Sequence, residues 1–354
     1  MTSASEKPFS ITAALKVLIE QPDKFTSALA AKCARDIMSQ KATPAQIAAF
    51  LIGLKVSRLD QNPDVIAVVA NAMRSAAIPV DLSAIPEPIV DIVGTGGDGQ
   101  NTFNVSTASG IVAAGAGCRV AKHGSRASSS ACGSADVLET LGCDLNNVEA
   151  DLVPRLLQDE SSFCFLFAQK YHPVMKTVAG PRKEIGVRTI FNITGPLANP
   201  AKPSHAVIGV YSLDFAPIYA EAVRLSGVKR AWIVNGNGCL DEVSPEGPTH
   251  VWSLENDQIT KLVIHPSDFG LEEHPLTSVG GGSADENAQT MRDLLSNKLQ
   301  GPVLDFVLIN TASLLYVAGK ATDLKDGVRL ARESIASGKA AAAFEHFTRS
   351  TVAL

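Results

Sequence analysis

A run of glycines, a few basic side chains and one pair of adjacent carboxylates are the parts of this chain that could do chemistry. Gly94-Thr95-Gly96-Gly97-Asp98-Gly99 places four glycines in six residues, a backbone that can take positive φ and turn its N–H groups toward one point. Asn104-Val105-Ser106-Thr107 follows, and Ser106 or Thr107 is positioned to cap a helix running to about Gly115. Lys122, His123 and Arg126 come next, after a short apolar run. N–H donors, a helix N-terminus carrying roughly half a positive charge and basic side chains together make an anion site. A phosphate or diphosphate is the expected ligand. The spacing matches neither G-x-G-x-x-G nor G-x-x-x-x-G-K-[ST], so the dinucleotide and nucleotide-loop readings do not apply.

The other candidates each have a plain alternative. Asp241-Glu242 follows an apolar run and the turn Asn235-Gly236-Asn237-Gly238, where two carboxylates could simply be solvated. Beside a diphosphate they gain a use, because Mg²⁺ prefers oxygen ligands and is held by one or two carboxylates plus substrate phosphates. Arg182 could lie along a helix surface, or its planar guanidinium could grip a planar carboxylate through two parallel hydrogen bonds. Ser128 to Ser130 and Ser134 could cap a helix over 135–141.

These residues need elements to hold them. Caps at Ser10, Thr43-Pro44 and Asn62-Pro63 predict helices over 11–20, 44–57 and 63–76, with another over 24–39. Residues 78–88 carry three prolines and read as a connector. Beyond it, strands are predicted at 89–93, 118–121, 163–167, 206–211 and 231–235, with a late antiparallel pair at 249–254 and 258–264. Helices over 287–297, 303–318 and 325–337 close the chain. The expectation is an α/β sheet domain preceded by a smaller helical one.

With 354 residues, 45% of them apolar, the chain can bury a full core. Its net charge of −5 argues against an extended nucleic-acid surface. Six scattered cysteines without zinc spacing read as small buried hydrophobes in a reducing compartment. The N-terminal MTSASEKPFS lacks an apolar core, and the apolar stretch 306–319 is broken by Asn310, Thr311 and Ser313. No membrane partner is expected, and a cytoplasmic location is.

In this order, GTGGDG (94–99), NVSTASG (104–110), KHGSR (122–126), GSADVLETLG (133–142), HPVMKTVAGPRKEIGVRTIFNITGPLANP (172–200), NGNGCLDEVS (235–244) and the stretch 301–340 resemble the anthranilate phosphoribosyltransferase family. The resemblance runs from about residue 10 to residue 347. It implies the nucleoside-phosphorylase type of phosphoribosyltransferase fold, with a mixed, mainly parallel central sheet. A small helical domain (1–80) would be joined in space by a helix near 172–186, the larger α/β domain would span 81–354, and the helical domain would form a homodimer. The implied reaction moves the 5-phosphoribosyl group from 5-phosphoribosyl 1-diphosphate to the amine of anthranilate, with Mg²⁺ as cofactor, in tryptophan biosynthesis.

Carried over residue by residue, the resemblance puts Gly94, Thr95, Gly96, Gly97, Asp98 and Asn104 on the donor's phosphates. Ser106, Thr107, Lys122 and Ser134 join them. Gly94, His123, Ser125, Arg182 and Pro196 would face the acceptor, and Asp241 and Glu242, with Ser106, the metal. No general base is assigned, because an arylamine is neutral near pH 7 and already nucleophilic. Ser125 stands where the bacterial pattern has Asn, and a hydroxyl cannot donate the amide's pair of hydrogen bonds. Asn235-Gly236-Asn237 likewise replaces the more usual His-Gly-x-Asp. A pyrimidine nucleoside phosphorylase would carry a K-H-S-x-G-G loop instead, and a non-catalytic relative would have lost the acidic pair.

Overall fold

The computed structural model describes residues 9–127, 131–159 and 162–352. Its N-terminal helices begin where short polar caps stand. Ser10 Oγ accepts from Ala13 N–H ahead of α1 (Ile11–Glu20). Thr43 and Gln46 form a reciprocal capping box at α3 (Pro44–Val56), and Asn62 caps α4 (Pro63–Ser75). The helix expected over 24–39 is interrupted. A 3₁₀ turn at Pro22–Lys24 precedes buried Phe25, and Thr26 caps a separate α2 (Ser27–Met38).

Seven strands then form one sheet: β1 (Ile89–Gly94), β2 (Arg119–Gly124), β3 (Ser162–Phe167), β4 (His205–Gly209), β5 (Arg230–Asn235), β6 (Thr249–Glu255) and β7 (Gln258–Ile264). Their order is β3-β2-β1-β4-β5-β6-β7, parallel through β5 and antiparallel for the last two. The connecting helices are α5 (Val105–Gly115), α6 (Ser134–Thr140), α7 (Leu152–Leu156), α8 (Ala168–Tyr171), α9 (Met175–Ile185) and α10 (Ala216–Leu225). After the sheet come α11 (Ala284–Leu295), α12 (Pro302–Val317), α13 (Leu324–Ala336) and α14 (Lys339–Val352). The sequence reading missed α14.

Strand alternation sorts the core onto two faces. Val207, Trp232 and Val234 join Ile92, Ile111 and Phe347 on the α5, α12 and α14 side. Ala206, Ile208, Ala231 and Ile233 pack with residues of α1–α4 and with Val178 of α9, which lies against the N-terminal helices despite its distance in sequence. No helix among the described residues is long and apolar enough to cross a membrane. Five cysteines are buried, but Cys239 is exposed and departs from the buried-hydrophobe expectation.

The sheet order matters most for the site. β1 is flanked by β2 on one side and β4 on the other, so the chain reverses direction of travel there. In open α/β sheets such a switch point opens a crevice at the carboxyl ends of the strands. Here both ends are glycine, Gly94 paired with Gly209.

Candidate active site

Asp241 lies across the two glycines at the mouth of that crevice. A Cβ on Gly94 would stand 2.2 Å from Asp241 Oδ2, and one on Gly209 would stand 1.5 Å from the Asp241 carbonyl oxygen. Neither strand end could carry a side chain without expelling the acidic loop. The glycine turn is then pinned to the same carboxylate. Gly96 N–H donates to Asp241 Oδ2 at 2.6 Å, and Asp241 N–H donates to Asp98 Oδ2 at 3.4 Å. Gly96, Gly97 and Gly99 all have positive φ, as the turn requires. Thr95 N–H donates to Gly209 O at 2.9 Å, while its buried hydroxyl has no partner among the described residues.

The helix that follows starts earlier than its hydroxyls indicated. Asn104, not Ser106 or Thr107, is the N-cap of α5, and its side chain makes no capping bond. Asn104 Nδ2 donates to Cys132 O at 3.0 Å, and its Oδ1 accepts from Asn287 of α11 at 2.9 Å. The two hydroxyls are thereby left for other work. Ser106 Oγ accepts from Lys122 Nζ at 3.2 Å, and Thr107 Oγ1 donates to Ser134 Oγ at 2.9 Å. Gly133 is the N-cap of α6, so Ser134 is not the cap it could have been. Ser128 to Ser130 lie outside the described residues.

β2 runs through to Gly124, so Lys122 and His123 are strand residues rather than loop residues, and alternation sends them to opposite faces. Lys122 is buried, with Nζ donating to Ile92 O at 2.6 Å. Arg126 drops out of the expected basic cluster. It pairs with Asp136 at 3.4 Å and Glu139 at 2.5 Å on α6 and sits over the Phe167 ring.

The electrostatics of the crevice call for a cation. Burial first, and then the neighbouring Asp98, push the Asp241 carboxyl up to about 7. Burial and the charge of Asp241 hold Glu242 well above the usual carboxylate range, while a hydrogen bond from Ser106 opposes them. Burial also lowers Lys122, against the pull of Asp91, Glu242 and Asp241. One buried ammonium thus faces several carboxylates that water does not solvate. Among the described residues no three His, Cys, Asp or Glu side chains are arranged to hold a metal by themselves. Mg²⁺ needs no such cage, since it keeps waters and takes phosphate oxygens. Asp241, Glu242 and Ser106, brought together here, fit that pattern.

On the other face of β2, His123 Nδ1 lies 3.3 Å from Gly195 O, and its ring meets His172 edge-on with centroids 5.1 Å apart. Burial, reinforced by His172, pushes His123 down to about 3, and burial pushes His172 down to about 4. Both rings are therefore neutral at pH 7, and each has a buried Nε2 with no hydrogen-bond partner among the described residues. Pro196 is buried in the adjacent 3₁₀ turn Gly195–Ala198. Arg182 is half-buried on α9. Burial lowers its guanidinium. It has no hydrogen-bond or ion-pair partner among the described residues. Ser125 is exposed, and its hydroxyl donates to Arg126 O at 3.0 Å.

Sequence reasoning passed over several supports. Asp91, buried in β1, accepts from Asn199 Nδ2 at 2.8 Å and from His123 N–H at 3.4 Å, which ties the two subsites together. Burial raises it to about 6, with Lys122 opposing. Gly209, His172, Asn199 and Asn287 were also missed. Of these, only Gly209, a glycine at a strand end, carried a local signal.

The turn can be tested directly. Gly97 has φ +82°, and a Cβ there would meet the Arg188 guanidinium at 1.1 Å. Gly97→Val should therefore weaken binding of Mg²⁺–diphosphate while costing about 1–2 kcal/mol of backbone strain. Equal diphosphate affinity in parent and variant, measured by calorimetry, would mean that the turn is only a turn.

Comparison with known proteins agrees with this geometry. Residues 86–341 match the "Glycosyl transferase family, a/b domain" and residues 12–77 the "Glycosyl transferase family, helical bundle domain". Anthranilate phosphoribosyltransferase of Schizosaccharomyces pombe is 45% identical, over 89% of each chain. The Brevibacillus brevis enzyme is 43% identical, over 91% of this chain and 92% of its own. Anthranilate phosphoribosyltransferase from Saccharomyces cerevisiae, solved in complex with PRPP and Mg, superposes with a TM-score of 0.89 at 38% identity, covering 97% of this chain and 98% of its own. The enzyme from Thermus thermophilus superposes with a TM-score of 0.87 at 38% identity, covering 96% and 99%. Glycine turn, acidic pair, sheet order and overall likeness converge, and the chain belongs to the anthranilate phosphoribosyltransferase family of glycosyl transferases.

Proposed function

We infer that the protein transfers the 5-phosphoribosyl group from 5-phosphoribosyl 1-diphosphate to the amine of anthranilate, releasing diphosphate, in tryptophan biosynthesis. The observation that carries this reading is the glycine turn bonded to Asp241 across the β1–β4 crevice. A diphosphate on that turn lies beside carboxylates able to share a cation with it. Thr95, Asn104, Thr107 and Ser134 line the approach, and Lys122 contributes fixed positive charge. Asp241, Glu242 and Ser106 would hold Mg²⁺, which would supply positive charge that favours departure of diphosphate.

The bond between ribose C1 and the diphosphate oxygen breaks, and its electron pair leaves with diphosphate. The anthranilate nitrogen lone pair forms the new bond to C1, and the nitrogen then gives up a proton to solvent. The side chains contribute position and charge rather than proton abstraction. His123 and His172 are neutral and present ring edges to the acceptor beside Pro196, with Gly94 facing it through its backbone. Arg182, a cation without a side-chain partner among the described residues, receives the anthranilate carboxylate.

Residues 1–80 form the helical domain in this reading, with α9 packed against it, and 81–354 form the donor-binding domain. Ile19, Ile52 and Val56 are exposed apolar residues on α1 and α3, which supports a homodimer through the helical domain. We place the protein in the cytoplasm.

Arg182→Ala tests the acceptor subsite. It removes a charge-assisted bond worth about 1.5–3 kcal/mol, or roughly one to two decades in kcat/KM for anthranilate. The donor KM should hardly move, and Ser125→Asn should be tolerated. Steady-state kinetics with each substrate varied in turn decides the matter. Loss of donor affinity with anthranilate saturation untouched would reverse the two subsites.

A further inference from the structure

Arg188 is a cation at the glycine turn that the reaction scheme above leaves without a task. It follows α9 and Gly186, and its guanidinium reaches the far side of the crevice. Nη2 donates to the Gly96 carbonyl at 2.9 Å, and the guanidinium carbon Cζ lies over the Tyr211 ring, 4.5 Å from its centroid. Tyr211 stands just past the end of β4. Arg188 therefore bridges the loops of both strands that frame the switch point.

Its remaining donors have no hydrogen-bond partner among the described residues. No carboxylate pairs with Arg188 among the described residues, whereas Arg126 is engaged by two acidic residues on α6. A guanidinium carries five N–H groups in a fixed fork. Stacking on an aromatic ring engages its face and leaves the edge available. Gly97, with φ +82°, brings its Cα so close that an added Cβ would overlap Nη1. The N–H groups of the turn other than those of Thr95 and Gly96, which bond Gly209 O and Asp241, and the guanidinium edge thus belong to one surface, and both suit an anion of diphosphate geometry.

We propose that Arg188 is a donor-binding residue, whose guanidinium holds the diphosphate leaving group against the Gly96–Gly97 turn while Tyr211 fixes its plane. This rests on the function inferred above, and it adds a residue from the segment after α9 to a site otherwise built from the sheet. Because the same guanidinium bonds the Gly96 carbonyl, binding and loop order are coupled. The contact also serves the released product, so diphosphate should hold the enzyme more tightly with Arg188 than without it.

The test uses Arg188→Ala and Arg188→Lys in the full-length enzyme, with Mg²⁺–diphosphate as the calorimetric probe. Arg188→Ala should weaken diphosphate binding and raise the donor KM about ten- to thirtyfold, with the anthranilate KM changing less than about twofold. Arg188→Lys should recover part of the loss, since charge returns without the planar fork, and added ethylguanidinium should partly rescue Arg188→Ala. A residue that only packs against the loop would show neither effect. Unchanged diphosphate affinity in Arg188→Ala, or a loss that neither lysine nor ethylguanidinium reduces, would overturn the proposal. If the parent itself failed to bind Mg²⁺–diphosphate, the functional reading would fall, and Arg188 with it.

Discussion

Replacing Asp241 and Glu242 together by Asn and Gln should lower turnover by on the order of 10³-fold, as loss of charge stabilisation at a leaving group does. The fold should survive. Side-chain volumes hardly change, and the amide oxygen introduced by Asp241→Asn could still accept the Gly96 N–H that the carboxylate now takes at 2.6 Å. Stability should even rise slightly, because burial and mutual repulsion push both carboxyls above their ordinary range, and neutral amides remove that repulsion. Circular dichroism and thermal melts alongside kinetics would check both halves. A double variant with parental turnover would remove the metal role, and one that failed to fold would show that the pair holds the acidic loop in place instead.

Lys122→Met should have the second largest effect, on stability as much as on donor binding. Its ammonium bonds Ile92 O and Ser106 Oγ and is the cation set against buried Asp91. Removing it leaves the Ile92 carbonyl without this donor and Asp91 without an opposing charge, which costs about 1–3 kcal/mol, more where a charged group is involved. The sign of the pH dependence follows from Asp91, whose carboxyl is already raised to about 6 and would rise further without Lys122. A carboxyl with a raised folded-state pKa stabilises below its unfolded value and loses that contribution as pH rises through the folded value. The deficit of Lys122→Met relative to the parent should therefore be small near pH 5 and grow toward pH 8. Urea unfolding across that range measures it, and adding Asp91→Asn should restore part of the loss. A deficit independent of pH would mean that Lys122 acts through packing and not through Asp91.

Much of this site was legible because local chemistry announces itself. Glycines at a strand end, an adjacent acid pair and the caps at Ser10, Thr43 and Asn62 depend on residues within a few positions of one another. What sequence could not show was set by strand order. That β1 lies between β2 and β4 is a pairing of segments more than a hundred residues apart, and it alone brings Asp241 over Gly94 and Gly209. The bonds from Asn199 to Asp91 and from Asn287 to Asn104 are of the same long-range kind. Two local readings failed for physical reasons. Ser106 and Thr107 looked like caps because hydroxyls commonly are, yet Lys122 and Ser134 engage them. Arg126 looked like an anion ligand because of its neighbours in sequence, yet two acidic residues of α6 neutralise it.

The most direct test follows the fluorescence of anthranilate. Incubated with the protein, it should disappear only when 5-phosphoribosyl 1-diphosphate and Mg²⁺ are both present, with one diphosphate released per anthranilate consumed. EDTA should stop the loss and added Mg²⁺ restore it. Persistent fluorescence with both present, or an equal rate of loss in EDTA, would contradict the account.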